Sequence, residues 1–465
     1  MGARSRLGCL SCRRRKKKCD ETKPTCTACQ RNCINCVWPG PFSEKEEMES
    51  KQSLGKTVLS AQYVAMANTG SITSGEIPVS LFPLVLPGSV SSTGETWRIL
   101  HHYLNDTANR LVCLQDNENP FLHTIFPAAL DDELLMHSIL ALAGEHLMRR
   151  LPQNSSTIQL STLRNYIRAL KSLRVDLSHL LKNDGHRSVD SALRSLLVAT
   201  KGTDPEAMKS HMEGANYLMA YILRSNAKSI QSTMGLFVTE LFAYNACLAS
   251  FTVECPTLAT LWPNTSTGSL TPQSNKVGML CGCAQDLFTF VPRVSKLLSD
   301  SGFKAQVPQD NQFQIKNMDL VDEYWRTRYH ISRWNPTSTE HDIALGAELY
   351  QYSLLLLLDT RFQTLNYRDS VQTSFEYLKS LFLRLPPNSP IATTATWPLF
   401  VFGLNSHDPS DRDLVRQYMS SLIENFGMGI METTLERLEN SWETEAHEGM
   451  LPNFFAGQNE LFLIC

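Results

Sequence analysis

Seven cysteines lie between Cys9 and Cys36, in the order C-L-S-C-R-R-R-K-K-K-C-D-E-T-K-P-T-C-T-A-C-Q-R-N-C-I-N-C. Thiolates are soft ligands suited to zinc, and two-residue spacing lets both sulfurs of a pair reach one ion. Cys9/Cys12 and Cys26/Cys29 are such pairs. Cys19 follows the first and Cys36 the second, so the two halves repeat as C-x2-C-x6-C. Six thiolates are too few for two separate four-cysteine sites. They suffice for two zinc ions if two sulfurs bridge, and the repeat makes Cys9 and Cys26 the natural bridges. Cys33 breaks the pattern. It could replace Cys36 as the last ligand, but the repeat favours Cys36 and leaves Cys33 spare. The competing chemistry is one four-cysteine zinc site with unused thiols, or an iron–sulfur centre. The duplicated spacing and the basic run inside it argue against the single site.

That run is Arg13, Arg14, Arg15, Lys16, Lys17 and Lys18. Its residues are strong helix formers, so one or two helical turns are expected between Cys12 and Cys19. Pro24 marks the loop into the second half, and a second short helix is expected from about Cys29 to Asn35. A module with so little apolar content must draw its folding energy from the metal. Taken alone, the run is equally well a solvated face or a nuclear-import patch. Held on a metal-fixed turn it can reach guanine O6 and N7 in the major groove of double-stranded DNA.

The stretch resembles the fungal binuclear zinc cluster, the Zn2Cys6 DNA-binding module. Arg13 after Cys12, the basic run, the Cys19-Asp20 step, Pro24 two before Cys26, and Trp38-Pro39 carry the likeness; only Cys33 is unusual. The resemblance implies two zinc ions as cofactors. It puts Arg15 and Lys16 on base edges, with Lys18 the next candidate. Arg13, Arg14, Lys17 and Lys23 are then assigned to phosphates.

Net charge conceals a division. The chain carries 43 Lys and Arg against 46 Asp and Glu, a formal charge of −3. Residues 1–38 hold ten basic and two acidic side chains, so the remainder is strongly acidic. A basic head on an acidic body expects only the head to meet a polyanion. The other six cysteines (Cys113, Cys247, Cys255, Cys281, Cys283, Cys465) form no disulfide framework, and an intracellular, reduced location is expected. No signal peptide or membrane-spanning run is read, so no membrane partner is expected. Beside a DNA-binding cluster, the basic run makes the nucleus the expected location.

Residues 1–39 are therefore expected to be the Zn2Cys6 DNA-binding domain. Residues 40–92 read as a linker, with no sustained heptads. Its part from Thr69 to Thr93 is either a flexible spacer or chain lying irregularly against the body. From Glu95 helical periodicity takes over. Helices are expected at Asp131 to Arg150, with Leu134, Leu135, Ile139, Leu142 and Leu147 as its buried stripe, and at Thr157 to Leu181. Others are expected at Ser188 to Thr200, Pro205 to Leu223 and Ile230 to Ala249, and at Val277 to Leu298, where Pro292 kinks or divides the helix. The series continues with Asp319 to His330, Asp342 to Leu358, Tyr367 to Leu383, Ala392 to Gly403, Asp411 to Phe426 and Met431 to Ala446. The fold class is thus a small metal-nucleated binuclear zinc cluster module followed by a large all-α domain.

The body, residues 93–465, is similar to the fungal-specific transcription factor domain of the second type. The likeness rests on D-E-L-L-M-H-S-I-L-A-L-A-G-E-H-L from Asp132, S-H-M-E-G-A-N-Y-L-M from Ser210 and W-P-L-F-V-F-G-L-N from Trp397. It implies a regulatory helical scaffold rather than an enzyme. No phosphate loop, H-E-x-x-H or G-x-S-x-G is present. His101-His102 reads as a packed or surface pair, Cys281-Gly282-Cys283 as core or helix-start packing, and Trp325, Trp334, Trp397 and Trp442 as core aromatics. A ligand pocket among the helices stays open, and no motif names a small-molecule effector. The two resemblances together imply a sequence-specific transcription factor at RNA polymerase II promoters. It is expected to recognise CGG-type triplets, to act as an activator of a metabolic or biosynthetic gene set, and to engage the transcription machinery. A homodimer or a partner transcription factor would supply the second reading event. The alternative is a zinc-stabilised nuclear protein-interaction module that does not read sequence.

Overall fold

The computed structural model describes Cys9, Cys12 and residues 17–23, 25–31, 86–88, 90–114, 119–151, 156–180, 205–225, 232–251, 278–299, 311–362 and 368–448. The chain forms two units, Met1–Gln62 and Tyr63–Cys465.

Among the described residues of the first unit, the buried core is made of cysteines. Cys9, Cys12, Cys19, Cys26 and Cys29 are buried, with Ala28 packed against them. The described helix is short, α1 (Thr27–Gln30), starting earlier than its sequence suggests because the Cys26 sulfur accepts the Cys29 N–H as its N-cap. Cys12 is helical, while Lys17 and Lys18 are not, so the described end of the basic run is irregular and exposed.

The second unit is helical, and among its described residues no strand occurs beyond an isolated bridge between Gly278 and Gly282. Helix α2 (Gly94–His102) is capped by the Thr93 hydroxyl, which accepts the Thr96 N–H at 3.3 Å. Just before it, Val90 joins the main core and the Ser92 hydroxyl accepts the Trp97 indole N–H at 3.0 Å. Residues 90–93 therefore lie against the body. The helix continues through a π-helical turn, Tyr103–Thr107, into a last turn, Ala108–Arg110. A second π-helical turn, Phe121–Ile125, leads into α3 (Phe126–Ala129).

Helices α4 (Glu133–Arg150) and α5 (Ser156–Leu180) pair along their length. The Asp132 carboxylate accepts the Leu135 N–H at 2.9 Å and starts α4, while Arg149 and Arg150 sit against its negative end. The helices approach closely at Gly144, where a Cβ would lie 2.1 Å from the Thr162 hydroxyl. Leu134, Leu135, Ile139 and Leu147 are buried as expected, and Leu142 is half-buried.

Then follow α6 (Pro205–Ser225), α7 (Thr233–Ala249), α8 (Gln285–Phe288), α9 (Val291–Ser299), α10 (Asn311–Arg333), α11 (His341–Arg361), α12 (Arg368–Arg384), α13 (Thr396–Leu404), α14 (Pro409–Phe426) and α15 (Gly429–Glu448). Every residue of α13 is buried, and most of α11 is too. Their aromatic rings stack: Tyr350 on Trp397 at 5.7 Å and Phe251 on Trp397 at 5.2 Å. One buried ion pair braces this core. Asp359 of α11 accepts two hydrogen bonds from Arg328 of α10, at 2.6 and 3.0 Å, and one from the Tyr324 hydroxyl at 3.1 Å.

Two sequence expectations change. Within the helix expected from Val277, the described residues 278–284 form a turn instead, closed by Gly278 N–H to Gly282 carbonyl at 2.8 Å, with Gly282 at φ 56°. The half-buried Glu240 side chain holds it by accepting the Leu280 N–H at 2.9 Å. As expected, the helical stretch is divided at Pro292: α8 ends at Phe288, and Pro292 occupies the second position of α9, where its missing N–H costs nothing. Trp325 is 44% exposed and is not a core aromatic, whereas Trp397 and Trp442 are buried. The helix expected at Ser188 to Thr200 lies outside the described residues.

Candidate zinc and nucleic-acid site

Cys9 and Cys12 bring their sulfurs to those of the second half. The Cys9 Sγ lies 3.7 Å from both Cys26 Sγ and Cys29 Sγ. The Cys12 Sγ lies 3.6 Å from Cys26 Sγ and 3.9 Å from Cys29 Sγ. Four sulfurs about 2.3 Å from a central zinc would be about 3.8 Å apart at the corners of a tetrahedron. Cys9 lies that close to Cys26 and Cys29, and Cys26 to Cys9 and Cys12, the separations expected of two bridging sulfurs. Cys19 joins Cys9, Cys12 and Cys26 in a group whose ligand atoms lie within 4.8 Å of one another. This is the grouping that a bridging Cys26 would give the first ion. Cys33 and Cys36 lie outside the described residues.

The electrostatics favour a thiolate at Cys26 but oppose one at Cys12 and, through burial, at Cys19. Backbone N–H groups point at sulfur: Cys12 N–H at Cys9 Sγ (3.3 Å), Cys9 and Glu21 N–H at Cys19 Sγ (3.4 Å each), and Cys29 N–H at Cys26 Sγ (3.4 Å). Burial opposes ionisation of Cys26, but the Cys29 N–H and the neighbouring thiols outweigh it and draw it down to about 6. Burial and its sulfur neighbours push Cys12 up to about 12. So many sulfurs cannot all ionise together without a cation, which is the charge a zinc ion supplies.

The two halves are tied by a polar contact that the cysteine spacing does not reveal. The Asp20 carboxylate accepts the Thr27 backbone N–H at 3.1 and 3.2 Å and is hydrogen-bonded to the Thr27 hydroxyl. The Thr27 hydroxyl, with the backbone N–H behind it, holds Asp20 below the usual carboxylate range. Glu21, at φ 60°, adopts the left-handed conformation that lets the chain leave Cys19 and turn. The Cys19-Asp20 step was visible in the sequence, but Thr27 as its partner was not.

Of the residues expected at DNA, Lys17, Lys18 and Lys23 are exposed beside the sulfurs. The Lys17 N–H is anchored to the Cys12 carbonyl at 3.0 Å, which couples the basic run to a cluster cysteine. Arg13, Arg14, Arg15 and Lys16 lie outside the described residues.

The body holds a second group of metal-capable side chains, His102, Asp106 and His146. Their partners describe a polar lock. The His146 Nε2–H donates to the Phe426 carbonyl at 2.9 Å, at the end of α14. That leaves Nδ1 to accept from Thr107 at 2.9 Å and His102 at 3.1 Å. Asp106 already faces Arg110 at 2.5 Å and Arg150 at 3.9 Å, so a metal cation would meet two guanidiniums. The pair His101-His102 thus packs, with His102 on His146 at 4.8 Å between ring centres.

Two family models match the chain. Residues 7–45 match the fungal Zn(2)-Cys(6) binuclear cluster domain, and residues 98–452 match the fungal specific transcription factor domain. The chain belongs to the fungal-specific transcription factor family. The zinc cluster transcription factor CZF1 of Candida albicans is 53% identical over 49 residues, 10% of this chain and 13% of that protein. The transcriptional activator protein UGA3 of Saccharomyces cerevisiae is 27% identical over 198 residues, 39% of this chain and 36% of its own length. An uncharacterised transcriptional regulatory protein of Schizosaccharomyces pombe is 22% identical over 498 residues, covering 95% of this chain and 92% of that protein. The chain therefore spans much less than two thirds of the first two relatives. No solved structure matches. The chain thus joins a match to a zinc-cluster domain with a helical body that matches the transcription factor domain. Among the described residues no helix is long and apolar enough to cross a membrane.

Proposed function

We propose that this transcription factor works in the nucleus at RNA polymerase II promoters and reads CGG-type triplets with a basic run fixed by two zinc ions. Cys9 and Cys26 bridge the ions, Cys12 and Cys19 complete the first set, and Cys29 and Cys36 complete the second. The bound ions supply folding energy and rigidity rather than catalysis. Arg15 and Lys16, with Lys18, read base edges, while Arg13, Arg14, Lys17 and Lys23 hold phosphates.

The observation that carries the proposal is the sulfur cage, with spacings of 3.6 to 3.9 Å, from which exposed Lys17 and Lys18 project. The helical body acts as a regulatory scaffold with no catalytic role. Activation of a metabolic or biosynthetic gene set is the favoured output, in keeping with the similarity to the transcriptional activator protein UGA3. The second reading event comes from a homodimer or a partner transcription factor, and the body faces the transcription machinery. A binding titration of the full chain at fixed salt, on a CGG-containing duplex and a scrambled one, tests the reading. Tighter binding to CGG that disappears with a zinc chelator supports it. Equal affinity and equal salt dependence on both duplexes would leave only the protein-interaction module.

A further inference from the structure

Helix α5 carries two apolar faces, and the fold uses one. Its inner face, with Ile158, Ala169 and Leu173 buried, packs on α4, where Asn165 Oδ1 meets His137 Nδ1 at 2.7 Å. On the opposite side Leu160 (47% exposed), Leu163 (52%), Ile167 (41%) and Val175 (54%) face solvent. Scattered exposed leucines need no explanation. These are not scattered: Leu160, Leu163, Ile167 and Leu170 recur at alternating steps of three and four, and Leu170 is only half-buried. That is the a/d pattern of a heptad helix, about three turns long, with no helix seated on it among the described residues.

The charges beside the seam say what fits it. Arg164, Arg168, Lys171 and Arg174 are exposed on α5, and the helix has one acidic residue, half-buried Asp176. With Leu160 at a, Arg164 and Lys171 fall at e, the flanking position that sets partner choice, and the g positions 166 and 173 are Tyr and Leu. A second copy of α5 would set these cations beside one another in antiparallel pairing. In parallel pairing it would offer them no acid. An acidic helix meets both requirements, apolar surface for the seam and carboxylates for its rim.

We infer that the outer face of α5 is a docking site for an amphipathic helix with aliphatic a/d positions and acidic flanks, carried by a partner protein of this transcription factor. The site lies on the otherwise acidic body, and gives it a specific means of engaging other factors that does not involve the DNA-binding head.

The test uses the full-length chain and two labelled helical peptides of about three heptads, both with leucine at a and d. One carries glutamate at e and g, its twin lysine. Fluorescence anisotropy should show the acidic peptide binding at least about tenfold tighter than the basic one. Leu163→Ser with Ile167→Ser should lose that binding while the thermal melt stays unchanged, which also separates α5 from the basic head as the binding surface. Arg164→Glu with Lys171→Glu should invert the preference between the peptides. Equal binding of both peptides, binding that survives the serine pair, or no binding at all would overturn the inference. So would a concentration-dependent dimer dissolved by Ile167→Glu, because a second copy would then occupy the face.

Discussion

Asp20 reaches across from the first half of the cysteine cluster and accepts the backbone N–H of Thr27 at 3.1 Å. Thr27 opens α1 directly after Cys26, so this carboxylate fixes the second pair of cysteines relative to Cys19. Asp20→Ala should leave every cysteine in place yet loosen the register of the halves. The expected result is faster zinc release to a chelator, by several-fold, with the melt of the helical body unchanged. Competition with a chromophoric chelator reads this directly. Release rates equal to those of the unmodified chain would show that the cysteines alone hold the halves together.

Elemental analysis of the purified chain should find two zinc ions per molecule. Replacing Cys33 by Ser should retain both, because the C-x2-C-x6-C repeat places Cys36 rather than Cys33 in the second set. One ion per unmodified chain would exclude bridging sulfurs. Loss of one ion in the Cys33 variant would make Cys33 the sixth ligand.

The lock between α2, α4 and α14 makes stability pH-dependent. Burial first, and the neighbouring His146 second, push His102 down to about 4; burial also lowers His146. Below the ordinary imidazole range, near 6.5, the unfolded chain takes up protons that the folded chain refuses, so stability falls as pH drops toward 4. Each unit of separation corresponds to about 1.4 kcal/mol. The body should therefore melt several degrees lower at pH 5 than at pH 7, and His102→Asn should flatten part of that slope. An unchanged melting temperature between those values would contradict this reading of the lock.

Within the basic run, position decides effect. Lys16→Ala should cost roughly 1–3 kcal/mol of discrimination at one guanine. Lys17→Ala should weaken all duplexes about equally and reduce the slope of log affinity against log salt by about one. Titrations at two or more salt concentrations separate the two outcomes. An equal, sequence-independent loss in both variants would remove base reading from Lys16.

The sequence made the cysteine cluster legible because thiol spacing is chemistry in its own right; neither Cys9 nor Cys26 needs a tertiary partner to be noticed. Helix α4 was legible from Asp132 at its start and Arg149-Arg150 at its end. What stayed hidden depends on distant partners or on small backbone departures. Asp20 shows no sign in sequence of choosing Thr27, and His102 meets His146 across 44 positions. The π-helical turns at Tyr103 and Phe121 keep the apolar spacing of a helix. The turn at Gly278 reads as helix because its buried residues, Leu280, Cys281 and Cys283, suit either state until Glu240 takes the Leu280 and Cys281 N–H groups. Trp325 shows the opposite error: a large ring suggested core, but the neighbouring Tyr324 took the buried position on α10.

Selection of the full-length chain against random duplex DNA tests the central claim most directly. A CGG-type triplet should be enriched, alone or as a pair at fixed spacing, and enrichment should vanish when zinc is chelated. Recovered sequences with no common triplet would contradict the claim that this zinc-fixed run reads DNA.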